Sequence, residues 1–129
     1  MEYIFDLTSQ EALLNRDADH VVIEQLLLSD SMAYTYDMVL SDLYEERNRA
    51  VGATRANQEI ERLRSRLIIW NYPAFDVEAT YIHEAYDLPY SAAVCVAIAR
   101  QLSCPVVTAS HFSFDSLMQD EVCGVLFTR

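Results

Sequence analysis

The sequence predicts a single α/β domain of three layers, with helices on both sides of a central, mainly parallel, five-stranded sheet. Three observations predict it. Five short apolar or β-branched runs alternate with helical patterns, and such alternation calls for parallel strands joined by helical crossovers. The 129 residues give room for one domain and not two. Apolar residues make up 52% and charged residues 22%, which is the composition of a folded chain rather than a disordered one.

Each element follows from its local pattern. Glu2 to Leu7 (EYIFDL) reads as a short buried strand that runs into an acid. Ser9 to Leu14 reads as a helix with Ser9 as its cap. Ala18 to Leu28 places Val21, Val22, Leu26, Leu27 and Leu28 at helical spacing. Met32 to Tyr36 (MAYTY) is rich in β-forming residues and reads as the second strand. Asp37 to Ala50 and Ala53 to Arg66 read as two helices, the second with Ile60, Leu63 and Leu67 on one face. Leu67 to Trp70 is the third strand, and Pro73 breaks the chain after it. Asp76 is expected to cap a helix through Tyr86. Pro89 opens another through Leu102, apolar nearly all round and therefore buried on several sides. Cys104 to Ala109 is the fourth strand, Ser116 to Asp120 a short helix, and Val122 to Phe127 the fifth strand.

Charge narrows the function classes. Twenty acids against nine bases, all arginine, leave a formal net charge of -11, which argues against a general nucleic-acid coat or a protein resting on anionic lipid. Cys95, Cys104 and Cys123 sit among apolar residues without framework or C-x-x-C spacing, so they are expected to be reduced, buried thiols. The first residues lack the basic and apolar regions of a secretory leader. The longest apolar run, Ala92 to Ala99, falls well short of the roughly 20 residues a membrane span needs. The expectation is a cytoplasmic protein with no membrane partner.

Ligands of parallel sheets bind outside the carboxyl ends of the strands, so the chemistry should lie there. Asp6 ends the first strand. Asp37 follows the second, with Asp42 on the helix beyond. Tyr72, Pro73 and Asp76 follow the third, and Ser110, His111, Ser113 and Asp115 follow the fourth. Ser91 opens the helix before that fourth strand. Carboxylates and hydroxyls gathered at one sheet edge suit a hard cation such as Mg²⁺ or Mn²⁺. Capping, turn and solvent-exposed roles account for the same residues without any metal: Asp6 and Ser91 as caps, Ser110 as a turn residue, Asp42 on an exposed helix face.

The run LPYSAAVCVAIARQLSCPVVTASHFSF, from Leu88, followed by GVLF, resembles the PIN domain, a family of small metal-dependent ribonucleases that includes toxins of bacterial toxin–antitoxin pairs. Its features there are an L-x-Y-D-A helix start, a long Ala-rich helix, a strand ending T-x-D and a distal strand. At the amino end, YIFD places Asp6 at the family's first metal-binding aspartate, and AYTYDMVLSDLY places Asp42 at its usual glutamate. The third and fourth acids of the pattern are Ser91 and Ser110 here. The resemblance covers nearly the whole chain. It implies a PIN-like fold in which Asp6 and Asp42 hold Mg²⁺ or Mn²⁺, Ser91 and Ser110 orient water or the scissile phosphate, and Asp115 or Asp87 supplies an auxiliary acid. It implies single-stranded RNA as substrate, an antitoxin-like protein as partner and a homo-oligomer. Replacement of two acids by serine equally fits a catalytically inactive PIN-fold module that binds or assembles. A receiver-type signalling domain would need a late lysine, and the chain has none.

Six of the nine bases fall between Arg47 and Arg66. Arg47, Arg49, Arg55 and Arg62 are candidates for a strip that takes RNA phosphates. Pairing with Glu45, Glu46, Glu59 and Glu61 on an exposed helix, or docking of an acidic partner or second subunit, are the competing uses of the same residues.

Overall fold

A computed structural model describes residues 2–29, 32–71 and 76–128, with the backbone alone for 111–113. The strands are β1 (Glu2–Phe5), β2 (Met32–Tyr36), β3 (Ile68–Trp70), β4 (Val106–Thr108) and β5 (Val125–Phe127). The helices are α1 (Leu7–Leu14), α2 (His20–Leu28), α3 (Asp37–Val51), α4 (Ala53–Arg64), α5 (Asp76–Tyr86), α6 (Tyr90–Leu102) and α7 (His111–Gln119). The strands form one sheet in the order β3-β2-β1-β4-β5, every pair parallel. The α/β architecture predicted from the alternating pattern is the one observed.

Period-two alternation divides the interior into two cores. Ile4, Tyr34 and Val106 project to one face, where they pack with Ile82 of α5, Val94 and Ile98 of α6, and Phe114 and Leu117 of α7. Their neighbours Phe5, Ala33 and Val107 project to the other face, onto Ala12 of α1, Ile23 of α2, Leu40 and Leu43 of α3, and Ile60 and Leu63 of α4. Helix α6 is buried along Ala93–Ala99, as its all-round apolar sequence requires. It ends at Ser103 in the left-handed conformation (φ 53°), with the Cys104 amide returning to the Ala99 carbonyl and Pro105 preventing continuation. Helices α3 and α4 are joined by Gly52 alone, whose φ of +85° suits glycine. Among the described residues no helix is long and apolar enough to cross a membrane.

Several bounds differ from the sequence-based expectation, each for a local reason. Helix α1 begins at Leu7 and its cap is Asp6, which accepts from the Ser9 amide. The Ser9 hydroxyl instead donates to the Asp6 carbonyl inside the first turn. Strand β4 starts at Val106 rather than Cys104, because the Cys104 amide closes α6. Helix α7 is longer than expected, since Phe114 and Leu117 both reach the core. Val122 belongs to the turn that ends α7, its amide bonded to the Leu117 carbonyl, so β5 is confined to Val125–Phe127. Tyr72 and Pro73, and the side chains of His111 and Ser113, lie outside the described residues.

Candidate functional site

The strand order reverses at β1: the chain moves to β2 and β3 on one side, then to β4 and β5 on the other. The carboxyl ends of β1 and β4 therefore flank the topological switch point, the place where open α/β sheets bind ligands. Asp6 and Thr108 stand there. Asp6 is 2% exposed and caps α1 in an extended conformation. Its Oδ1 accepts from the Ser9 amide and the Thr8 hydroxyl, both at 2.9 Å, and its Oδ2 accepts from the Thr108 hydroxyl at 2.6 Å.

Those hydroxyls are themselves fixed from behind. The Ala109 amide donates to Thr8 Oγ1 and the Ser110 amide donates to Thr108 Oγ1, each at 3.0 Å, and the two hydroxyl oxygens lie 3.0 Å apart. A chain of amide, hydroxyl and carboxylate thus ties the end of β4 to the start of α1. Below it, Gln10 donates to the Phe5 carbonyl and the Thr35 hydroxyl, so β1, β2 and α1 share a second buried polar link. Burial pushes the Asp6 carboxyl above its ordinary range, outweighing the donors that favour its ionised form.

The other expected site residues are arranged less tightly. Asp42 is half-buried on α3, Ser91 is buried in the first turn of α6, and Asp115 and Asp87 are exposed. None of their side chains is among the hydrogen-bond partners of Asp6 described above. Ser110 meets the site through its backbone amide. A different carboxyl pair lies within the field of Asp6: Glu11 on α1 is pushed up to about 8, first by desolvation, then by its hydrogen bond to Glu46 of α3 and by the charges of Glu46, Asp6 and Asp17.

This donor set does not fit a tightly held divalent cation. Both Asp6 oxygens already accept protein donors, burial raises its carboxyl, and Ser91 and Ser110 are neutral hydroxyls. Among the described residues no group of three or more His, Cys, Asp or Glu side chains is placed to hold a metal ion.

Sequence reasoning missed Thr8 and Thr108 as the shell of Asp6. Thr108 carries a signal in the sequence, since it is the threonine of the T-x-D pattern, two residues before the position of the acid. Thr8 meets Thr108 only through the fold. The arginine run also divides. Arg47 is buried and grips Glu59 through Nε (3.2 Å) and Nη2 (2.9 Å), with Nη1 on Asn15, so it is withdrawn from any ligand. Arg64 pairs with Asp37 and Glu61. Arg49, Arg55 and Arg62 are exposed. All three thiols are free, and burial raises each of them, Cys104 and Cys123 to about 11 and Cys95 further still.

No family model matches the sequence, and no curated protein matches it. Solved structures do match in fold. A chain of the VapBC2 complex from Rickettsia felis bound to a DNA fragment from its promoter superposes with a TM-score of 0.77 at 13% identity, covering 98% of each chain. VapBC-1 from nontypeable Haemophilus influenzae gives 0.73 at 12% identity, covering 99% of this chain and 98% of the other. A toxin–antitoxin complex from Klebsiella pneumoniae gives 0.72 at 12% identity, covering 98% of each. The fold is therefore PIN-like from end to end, as the resemblance of the Leu88–Phe127 segment implies.

Proposed function

We propose that this chain acts as the PIN-fold member of a toxin–antitoxin type pair, and that it works by binding a protein partner rather than by metal-dependent cleavage of RNA. The observation that carries the second half is the closed shell of Asp6. The first metal-binding acid of the family pattern has both oxygens engaged by Thr8, Ser9 and Thr108, and the third and fourth acids are serines. The partner half is supported by likeness to chains of toxin–antitoxin complexes over nearly the full length. Apolar side chains left open on α2 (Val21, Val22 and Leu28) support it too, since a cluster of this kind marks a protein-binding face. Val77 and Tyr81, one turn apart and exposed on α5, offer a face of the same kind to a second copy.

The test is incubation of the pure chain and an Asp6→Asn variant with mixed single-stranded RNA and Mn²⁺ or Mg²⁺, with calorimetric titration of Mn²⁺ alone. The expected result is no metal-dependent cleavage and no saturable Mn²⁺ binding. Cleavage by the parent chain that Asp6→Asn abolishes would establish the second reading, a weakened ribonuclease. The survival of Asp6 and Asp42 at the two metal-binding positions of the family pattern favours that reading. In it, those carboxylates are the metal-holding groups, and Ser91 and Ser110 orient water or phosphate.

A further inference from the structure

A cavity of about 400 Å³ opens between the end of α1, the start of α2 and one face of α4. Four of the nine arginines line it: Arg16, Arg55, Arg62 and Arg66. Among the described residues the ion pairs involve Arg47, Arg64 and Arg100, and none of the four pocket arginines. Two acids also line the cavity. Glu59 is already neutralised by the bidentate grip of Arg47 from behind, which leaves Glu24 as the one carboxylate facing four guanidinium groups. His20 completes the polar lining, its Nδ1 at 2.8 Å from the Asp17 carbonyl. In a chain of net charge -11, this is a concentrated island of positive charge in a concave site of ligand size.

The position of Arg16 is set by the turn that ends α1. It follows α1 in the left-handed conformation (φ 54°), with the Arg16 amide bonded to the Leu13 carbonyl and the Asp17 amide to the Ala12 carbonyl. That is the helix-ending position where glycine or asparagine is favoured, and another side chain there carries a conformational cost of roughly 1 kcal/mol. Asp87, Ser103 and Glu121 share this conformation, so at Arg16 it fixes where the side chain leaves the backbone, and from there the guanidinium lines the pocket.

We propose that this pocket binds a phosphate ester. Guanidinium forks match phosphate oxygens bidentately, and the three terminal oxygens of a phosphate monoester let two or more forks engage it at once. Arg55 and Arg62 lie seven residues apart on α4, about 10 Å along the axis, a span that a nucleotide bridges and a lone carboxylate does not. The ligand is a free nucleoside phosphate, whose terminal monoester presents three oxygens where a diester backbone presents two. The inference stands apart from the proposed function, because it needs neither cleavage at Asp6 nor a protein partner on α2.

The test is titration of the whole chain at low salt with inorganic phosphate, adenosine monophosphate and a uridine tetranucleotide, followed by calorimetry and by amide NMR shifts. Arg16→Gly removes a guanidinium while keeping or improving the helix end, and Arg62→Ala removes one from an exposed helix face. Arg64→Ala, on the same helix but turned to Asp37, makes the same charge change outside the pocket. The expected result is saturable binding weakened at least fivefold by Arg16→Gly and by Arg62→Ala but by less than twofold by Arg64→Ala, with thermal melting unchanged or raised for Arg16→Gly and unchanged for the other two. The monophosphate is expected to bind at least as tightly as the tetranucleotide; tighter binding of the tetranucleotide, with a log–log salt slope near -0.7 per phosphate engaged, marks an RNA backbone instead and overturns the assignment. No saturable binding, equal weakening by Arg64→Ala, or tighter binding of an oligoglutamate peptide overturns the proposal.

Discussion

Helix α1 joins two regions that treat charge in opposite ways. At its amino end, Asp6 is enclosed, and the donors that surround it are themselves held by the amides of Ala109 and Ser110. Just past its carboxyl end, Arg16 opens onto a cavity with three further guanidiniums that have no ion-pair partner among the described residues. Each charge sits where the helix dipole favours it, acid at the amino end and cation at the carboxyl end. The contrast lies in what surrounds them. The enclosed region contributes to stability, because a missing partner leaves buried polar groups unsatisfied. The open region contributes little to stability and is therefore free to bind.

Substitutions along this line should separate the two regions. Arg47 stands at the boundary, buried at its own site while holding Glu59 at the pocket wall. Arg47→Ala is expected to cost about 3–5 kcal/mol in urea denaturation, because it strands the Glu59 carboxylate. An Arg47→Met, Glu59→Leu pair should recover most of that loss. Asp6→Ala comes next, at about 2–4 kcal/mol, from the lost cap and the stranded donors of Thr8, Ser9 and Thr108. Asp6→Asn keeps one acceptor and should cost less.

The Glu11–Glu46 pair gives a smaller effect with a pH signature. Glu11 holds its proton to about pH 8 in the folded chain, against an ordinary value of 4.5. The folded state therefore binds more protons between those values, and stability falls as pH rises from about 5 to 8. The group is partly exposed, so screening limits the effect to about 1 kcal/mol. Glu11→Gln should flatten that slope in melts across the range. The smallest change is at the open region: Arg55→Ala and Arg62→Ala should shift stability by no more than about 0.5 kcal/mol. A loss above 2 kcal/mol at either would erase the distinction between the regions.

Elements fixed by local pattern were legible in the sequence, and contacts between distant segments were not. MAYTY marked β2 to the residue, and the apolar run after Ser91 marked the buried helix α6. Alternation alone led to the parallel sheet. The ends of β4 and β5 escaped, because the backbone turns that close α6 and α7 use residues with strand-like side chains, Cys104 and Val122. At the site, Asp6 was legible as a strand-end acid. Its enclosure was not, because Thr8 and Thr108 are a hundred residues apart and a threonine reveals nothing locally about which carboxylate it will meet. The division of the arginines was hidden for a similar reason. Arg47 and Arg49 look alike in sequence, but only Arg47 faces α4 and finds Glu59. Arg16 lay outside the cluster altogether and joins it through the turn after α1.

The place of β1 in the sheet has a consequence for how the chain is made. Ile4 leaves the ribosome before either of its neighbours, yet it is bordered by Tyr34 on one side and, about a hundred residues later in the chain, by Val106 on the other. The middle strand of the sheet is thus synthesised first and completed late, after the segment leading to β4 has emerged. Until then one edge of β1 is open, and Asp6 lacks the Thr108 hydroxyl that encloses it. Closing so long a segment around a parallel strand is slow relative to local helix formation. The nascent chain therefore passes through a stage in which its amino-terminal acid is still hydrated and its central strand is free to pair with a neighbour, a stage at which an early-binding partner or chaperone would have the most effect.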